Sequence, residues 1–286
     1  MPAVSRAFTR LIIALAAGAM AAVAPAWAQV EPSAPAVWPK ILTRGLFSAN
    51  GEFVKSDTPN RPADALVHVA LDVLDLGAVS IPFDFTFAAA FNNRRYPVFV
   101  DYSYLIGPAV RLGGVDVTAF LHHTSRHVHD VVRPEPVSWN QVGLSASGTV
   151  VSGRLGLRWA ASTTWYPPYA RRYVDYSWDV AGAVRAIYTI SPRSAYYAGG
   201  VVRVLRCMPE IAGRDGALGT RIETGMNLAF GFGRVDVFAG FDRRIDPATF
   251  SRTVQNYYVA GVRFMIARGG GAWSFIVPLR EGRPLQ

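Results

Sequence analysis

Apolar and polar residues alternate along most of this chain. In the stretch VDVTAFLHHTS, residues 115–125, one set of positions reads Val, Val, Ala, Leu, His and Ser, and the other reads Asp, Thr, Phe, His and Thr. A period of two places alternate side chains on opposite faces of a β-strand. The pattern recurs in further segments, such as ALVHVALDVL and RVDVFAGFDRRI. Repeated segments of this kind predict an all-β fold, an antiparallel transmembrane β-barrel.

The connections between these segments favour the same fold. Long polar joins, around residues 49–64, 126–136, 207–219 and 245–256, alternate along the chain with tight turns such as Leu76-Gly77 and Ser152-Gly153. Outer-membrane barrels combine short periplasmic turns with longer extracellular loops. The segments predict about 12 strands. A soluble β-sandwich is the competing fold, but its exposed faces should carry more charge than these segments do.

The N-terminus has the features of an export signal. Arg6 and Arg10 precede an apolar run over residues 11–23, and Ala26-Trp27-Ala28 offers the small residues of a cleavage site. A membrane-anchoring helix is the alternative, but the run is short for a span of about 20 residues. We therefore predict a bacterial outer-membrane protein with four parts: a signal peptide (1–28), an N-terminal periplasmic segment (29–40), a barrel (41–268) and a C-terminal tail (269–286).

The charge balance narrows the range of partners. The chain has 29 Lys and Arg against 20 Asp and Glu, a net charge of +9, and its only lysines are Lys40 and Lys55. An exported chain rarely meets nucleic acid, and no basic run or aromatic-basic recognition motif is present, so a nucleic-acid partner is not expected. Arginine suits lipid phosphates, because its planar fork binds them bidentately. The single cysteine, Cys207, cannot form an internal disulfide.

Four of the five histidines lie in FLHHTSRHVHD, residues 120–130, at the extracellular end of the fifth predicted strand. His123 and Ser125 share the apolar, lipid-facing parity of this strand, and Asn140 shares it on the next strand, SWNQVGLSAS. Polar groups on a lipid face are costly unless they satisfy one another. We expect Ser125 Oγ to donate to the His123 imidazole, whose other nitrogen donates to the Asn140 carbonyl. This chain of hydrogen bonds is how a serine nucleophile is activated, so the pattern predicts an acyl-transfer site.

The same residues resemble the outer membrane phospholipase A family. His123-Thr124-Ser125 followed by Ser138-Trp139-Asn140 is similar to that family's His-x-Ser on one strand and Ser-Trp-Asn on the next. The resemblance implies a twelve-stranded barrel that cleaves phospholipid acyl esters as a calcium-dependent homodimer. Ser125 would then be the nucleophile, His123 the general base and Asn140 the group that orients the base. The chain departs from the family after the serine, where Arg126-His127 replaces the usual Asn-Gly.

A second resemblance leaves the function open. His123-x-Ser125-x-His127-x-x-Asp130 is similar to a His-x-Ser-Ser-His-x-Gly-Asp block in a group of outer-membrane barrels of unassigned activity. If this protein is more closely related to that group, the prediction of a barrel is unchanged, but the motif no longer supports the prediction of a lipase. The alternatives to a phospholipase are a non-catalytic barrel, either a small channel or a structural protein, and a lipid A deacylase. The substrate in the hydrolytic cases would be the acyl chains of phospholipid or lipopolysaccharide.

Metal binding is a further hypothesis for this region. Asp130 and Glu135 could offer oxygen ligands to calcium, although calcium normally needs about six or more oxygens and solvated loop acids are the competing interpretation. His122, His127, His129 and Asp130 could instead bind a transition metal, because imidazole and carboxylate are common ligands. Inward-facing charged residues, by contrast, are expected to line a polar barrel lumen. They are Asp116, Asp175, Asp179, Arg185, Glu223 and Asp236.

Overall fold

The structure is a computed structural model. It describes residues 40–41, 45–56, 63–91, 97–128, 137–168, 174–230, 233–246 and 252–268. The expected signal peptide, the segment as far as residue 39 and the tail from residue 269 lie outside the described residues.

The described residues are almost entirely β-strand. The strands are β1 (Lys40–Ile41), β2 (Gly45–Ser56), β3 (Ala63–Asp75), β4 (Val79–Phe91), β5 (Pro97–Ile106), β6 (Ala109–Leu112), β7 (Val115–Val128), β8 (Val137–Ser152), β9 (Leu155–Trp165), β10 (Tyr176–Ser191), β11 (Ser194–Cys207), β12 (Gly216–Phe230), β13 (Gly233–Ile245) and β14 (Val254–Arg268). One short helix, α1 (Pro209–Ala212), follows β11. No helix in the described ranges is long and apolar enough to cross a membrane.

These strands form one closed barrel. Each strand pairs antiparallel with its neighbours, and β14 returns to pair with β2 from Ser56↔Tyr257 to Gly45↔Arg268. β5 and β6 are two parts of a single barrel strand, since both pair with β4 on one side and β7 on the other. The barrel therefore has twelve strands, as the alternating segments predict. The short β1 is an extra strand that pairs with the end of β3.

Gly107 and Pro108 lie at the break between β5 and β6. A Cβ atom at Gly107 would lie 1.9 Å from the backbone oxygen of Ala119 on β7, so only glycine fits this close approach. Pro108 follows and has no N–H to donate to the ladder, although its carbonyl accepts from the N–H of Ala119 at 3.0 Å. The sheet resumes at Ala109, which pairs with Thr118.

The two ends of the barrel differ in the length of their connections. The turns Gly113-Gly114, Gly153-Arg154 and Pro192-Arg193 close one end, whereas the other end carries longer connections, such as residues 208–215 with α1. Short turns are periplasmic and long loops are extracellular in barrels of this kind. The connection between β7 and β8 therefore lies at the extracellular end.

The two faces of the wall match a membrane barrel. Large apolar side chains are exposed on the outer face, among them Leu121, Leu144, Val184 and Ile222. The inner face carries buried polar groups, including all of the expected lumen residues except Asp116, which is partly exposed. An apolar exterior around a polar interior is the arrangement that a lipid bilayer requires of a barrel.

A network of ion pairs fills the lumen beside β2 and β10–β14. Arg221 binds Asp242 at 3.1 Å, Glu52 at 2.9 Å and Glu223 at 3.1 Å. Arg263 binds Glu223 at 2.9 Å and Asp236 at 3.0 Å. Both guanidinium groups are 0% exposed, so this side of the lumen is packed with side chains, which disfavours an open aqueous channel along it.

Candidate active site on the lipid-facing rim

The candidate site lies on β7, near its extracellular end, and β7 turns its alternate residues to opposite sides of the wall. His122 and Thr124 are buried in the lumen. His123 and Ser125 are partly exposed on the outer face, and His127 is exposed there. The outer set follows the parity of Leu121, which is 60% exposed, so the two histidines and the serine face lipid as the alternation predicts.

A hydrogen bond joins β7 to β8 on this outer face. His123 and Asn140 are direct partners in the antiparallel register, and His123 Nδ1 lies 2.6 Å from Asn140 Oδ1. An amide oxygen can only accept, so Nδ1 carries the proton and donates it. In the neutral ring this leaves Nε2 as an acceptor. The His123–Asn140 contact is therefore the one that the sequence argument expects, and it fixes the tautomer that a general base needs.

The contact made by Ser125 differs from the expected one. Ser125 Oγ lies 3.2 Å from Nε2 of His127, the histidine two residues further along β7, rather than beside His123. His123 and His127 flank Ser125 symmetrically at i−2 and i+2 on one face. The alternation predicts that all three share the face, but the χ1 rotamer of the serine decides which imidazole it contacts, and no sequence pattern fixes that rotamer.

Two tyrosines of β5 border the site, and the sequence analysis did not single them out. Tyr104 stacks on His123 with ring centroids 5.0 Å apart and an interplanar angle of 25°. Tyr102, the register partner of Ser125, meets His127 edge-on at 5.4 Å. Both tyrosines share the outward parity of β5 and are exposed. Their rings restrict the two imidazoles from the side opposite Asn140, and their period of two could have identified them.

Arg126 anchors this part of β7 from the lumen side. Its Nε and Nη2 donate to the two carboxylate oxygens of Asp101 at 2.7 and 2.8 Å, a bidentate pair. Its Nη1 donates to the backbone oxygen of Asp246 at 3.1 Å. Asp246 directly follows β13, which lies across the barrel from β7, so this contact crosses the extracellular mouth of the barrel. The residues on either side of Arg126, Ser125 and His127, are thereby held on a fixed stretch of wall.

The contacts continue across the mouth through the connection between β11 and β12. Arg214 binds Asp246 at 2.5 Å and Asp175 at 3.3 Å. Burial acts to lower the pKa of Arg214, but the hydrogen bond and the charge of Asp246 outweigh it and raise the pKa above the ordinary arginine value. Tyr176 also donates to Asp246, at 2.6 Å. The extracellular mouth is thus crossed by charge-assisted hydrogen bonds that end at Arg126.

Comparison with known proteins gives the fold and no family. No family model matches the sequence, and no curated protein matches it. An outer membrane channel from Pseudomonas putida F1 is similar over 84% of this chain and 100% of that chain, with a TM-score of 0.53 and 11% identity. This protein has the fold of a bacterial outer-membrane β-barrel.

Other solved barrels show weaker likeness. Outer membrane phospholipase A from Escherichia coli gives a TM-score of 0.48 at 11% identity, covering 80% of this chain and 94% of that chain. The translocator domain of the autotransporter NalP from Neisseria meningitidis gives 0.42 at 10% identity, covering 90% and 97%. The likeness to solved barrels shows the fold alone, and a fold by itself does not select a function.

The structure tests the transition-metal hypothesis in part and does not describe the two residues of the calcium hypothesis. His122 is buried in the lumen and His127 lies on the lipid face, so these two cannot bind one transition-metal ion.

Asp130, Glu135 and His129 lie outside the described residues. Within the described ranges, no group of three or more His, Cys, Asp or Glu side chains could hold a metal ion. Asp101, on the neighbouring strand, is engaged by Arg126. Calcium binding therefore stays a prediction, because its proposed ligands Asp130 and Glu135 are not among the described residues.

Proposed function

We propose that this outer-membrane barrel is an acyl hydrolase that cleaves fatty-acyl esters of phospholipids at its lipid-facing rim. Ser125 is the nucleophile, His123 the general base and Asn140 the group that orients the base. One observation carries the proposal, the 2.6 Å hydrogen bond between His123 and Asn140 on the face that contacts lipid. A barrel needs no polar network there, because polar groups on the lipid face cost stability and the lumen offers room for them.

The proposed reaction starts with a rotation of Ser125. A turn of its χ1 angle from one staggered rotamer to another moves Oγ from His127 towards His123. Oγ then attacks the ester carbonyl carbon of a lipid lying against the wall, and its proton passes to Nε2 of His123. When the tetrahedral intermediate collapses, the imidazolium returns this proton to the departing lysophospholipid alkoxide, which leaves an acyl-serine.

Water completes the cycle. His123 takes a proton from water, the resulting hydroxide attacks the acyl-serine carbonyl, and the fatty acid leaves as Ser125 regains its hydrogen. Asn140 keeps Nδ1 protonated throughout, so Nε2 is the nitrogen that exchanges protons. A calcium ion, if Asp130 and Glu135 bind one, would supply positive charge for the oxyanion.

The test uses purified full-length protein in phospholipid vesicles. The parent should release fatty acid and react covalently with a sulfonyl fluoride, and Ser125→Ala should lose both by roughly 10³-fold or more. Its folded band, seen on a gel without heating, should persist, because an exposed hydroxyl adds little to stability. Ser177→Ala, which removes a partly exposed hydroxyl at the extracellular end of β10, is the matched control. Hydrolysis by Ser125→Ala at the parental rate would refute the proposal.

The same assay separates the remaining alternatives. Runs with calcium and with a chelator test the predicted calcium, and vesicles that contain lipid A test the deacylase alternative. Chemical cross-linking in these vesicles tests the predicted homodimer. A parent protein that releases no fatty acid from either lipid, with or without calcium, would favour the non-catalytic barrel.

A further inference from the structure

The lipid face opposite the candidate site carries positive charge at one end of the barrel. Six neighbouring strands, β10–β14 and β2, form this part of the wall, and their outward positions are almost all apolar, glycine or threonine. Among the outward side chains that the structure describes on these strands, none is Asp or Glu and three are cationic. The three are Lys55, Arg206 and Arg243, and all are exposed.

The three cations lie at the same end of the barrel. Lys55, Arg206 and Arg243 come one or two residues before the extracellular ends of β2, β11 and β13. Neighbouring cations are two strands apart along the wall. Because paired strands are about 4.8 Å apart, the cations are spaced by roughly 10 Å or a little more. They form a band at the level of the outer-leaflet headgroups, which we call the rim cations.

The rim cations are not neutralised by the protein. In the described part of the chain, no carboxylate forms an ion pair with Lys55, Arg206 or Arg243, whereas the lumen arginines Arg221 and Arg263 are paired several times over. Arg243 donates from Nε to the backbone oxygen of Leu218 at 3.2 Å, which orients its guanidinium along the wall. Its two Nη groups remain available to a ligand outside the protein.

Aromatic side chains adjoin two of the cations. Trp178 is the cross-strand partner of Arg206, and Tyr258 is the partner of Lys55. Both rings are exposed on the lipid face, Tyr258 at 68%. Amphipathic rings of this kind sit at the level of lipid headgroups. The cations beside them are therefore at the depth where lipid phosphates lie.

We propose that the rim cations bind the phosphate groups of a phosphorylated glycolipid in the outer leaflet, the lipid A part of lipopolysaccharide. The charge carries this assignment: three unpaired cations without a carboxylate on the surrounding lipid face complement an anionic headgroup layer. Their spacing is too wide for one phosphate and suits several phosphates on one headgroup or on adjacent lipids. The site is distinct from Ser125, on the opposite side of the barrel, and does not depend on the proposed hydrolysis.

The experiment measures lipid binding by purified full-length protein in detergent. Bisphosphorylated lipid A, dephosphorylated lipid A and inorganic phosphate are each titrated, and bound lipid is counted by native mass spectrometry. The test variant combines Lys55→Gln, Arg206→Gln and Arg243→Gln. The matched control combines Arg154→Gln, Arg193→Gln and Arg234→Gln, which removes the same charge from exposed positions at the periplasmic end. A conservative variant, Arg206→Lys with Arg243→Lys, keeps the charge.

We expect bisphosphorylated lipid A to bind the parent, the control and the conservative variant, with at least tenfold weaker binding to the test variant. Dephosphorylated lipid A should bind all four weakly, and inorganic phosphate should not compete at millimolar concentration. Equal binding of the test variant and the parent would overturn the proposal, as would equal binding of the two forms of lipid A. A change of oligomeric state in the test variant, with phosphate-dependent binding intact, would also overturn it and would identify this face as a contact between two copies of the chain.

Discussion

The lumen and the lipid-facing rim both contain clusters of polar side chains, but they differ in what those side chains contact. In the lumen, Arg221 and Arg263 are fully buried, and each binds two or more carboxylates. At the rim, His123 and Asn140 bind each other, and Ser125 contacts His127, on a stretch of the outer face that also exposes Leu121 and Leu144. The barrel explains the first cluster, because a closed barrel has a polar interior. It does not explain the second.

The difference separates a structural role from a functional one. Removal of a lumen arginine leaves buried carboxylates without a partner, so its cost should appear in the free energy of unfolding. Removal of Ser125, His123 or Asn140 exposes its hydrogen-bond partner to headgroups and water at the edge of the bilayer. The resulting change in the free energy of unfolding should therefore be small. If the rim cluster is a catalytic site, its loss should appear in the reaction rate instead.

The largest expected effect separates the two histidines that flank Ser125. If His123 is the general base, His123→Ala should lower the rate of phospholipid hydrolysis by about 10²–10⁴-fold, the usual contribution of acid–base catalysis. His127→Ala, which removes the imidazole that Ser125 contacts, should lower it by less than about 10-fold, because that ring lacks the Asn140 hydrogen bond. Initial rates on vesicles measure both. The reverse order of losses would assign the base to His127.

The lumen network gives the largest expected effect on stability. Arg263→Met removes one cation from between Glu223 and Asp236, and a broken buried pair costs about 3–5 kcal/mol. Urea unfolding in lipid vesicles should show a loss of this size in the free energy of unfolding, with the hydrolysis rate of the folded fraction unchanged. Arg154→Met, in an exposed periplasmic turn, should change stability by less than about 0.5 kcal/mol. Equal stability of the two variants would contradict the structural role of the network.

The sequence predicts the wall of the barrel well and its interior contacts poorly. Period-two alternation and the spacing of turns are local properties, so they predict the twelve strands, the face of each residue and the His123–Asn140 pair across one hairpin. The break at Gly107 was not predicted, because it depends on the approach of the Ala119 backbone from another strand. Alternation predicts that an arginine points into the lumen, but not which distant residue its side chain contacts there. The contact of Arg126 with Asp246 is an example.

The rim cations show a signal that the sequence contains and the sequence analysis missed. Lys55, Arg206 and Arg243 share the outward parity of their strands, so a count of charged residues at lipid-facing positions finds them without a structure. Their arrangement as neighbours needs the closure of β14 on β2, which joins the two ends of the chain. By contrast, the contact of Ser125 with His127 depends on a rotamer and is beyond any pattern of residues.

A smaller effect is expected for the side chain that orients the base. Asn140→Ala should leave about a tenth to a hundredth of the parental rate, by analogy with the hydrogen-bond partners that orient metal-bound histidines, whose loss costs about 10–100-fold. Asn140→Asp keeps an acceptor opposite Nδ1 and should restore much of the rate. Fatty-acid release by the two variants, with the folded band as control, measures the effect. A rate for Asn140→Ala equal to that of the parent would show that the hydrogen bond has no part in catalysis.

The smallest expected effect concerns Arg126, which lies in the lumen and acts on the rim through the strand that both share. Arg126→Gln removes the bidentate pair with Asp101 and the contact with Asp246, so β7 should hold Ser125 and His127 less firmly. We expect kcat to fall by about 3–10-fold with KM unchanged, since the side chain touches no substrate and small misplacement of a catalytic group is costly. Arg111→Gln removes an arginine that pairs with Asp72 at the periplasmic end, and it should leave kcat unchanged. If both variants lower kcat equally, the effect reflects general loosening of the barrel; if only Arg126→Gln lowers it, the ion pairs across the mouth help to position the site.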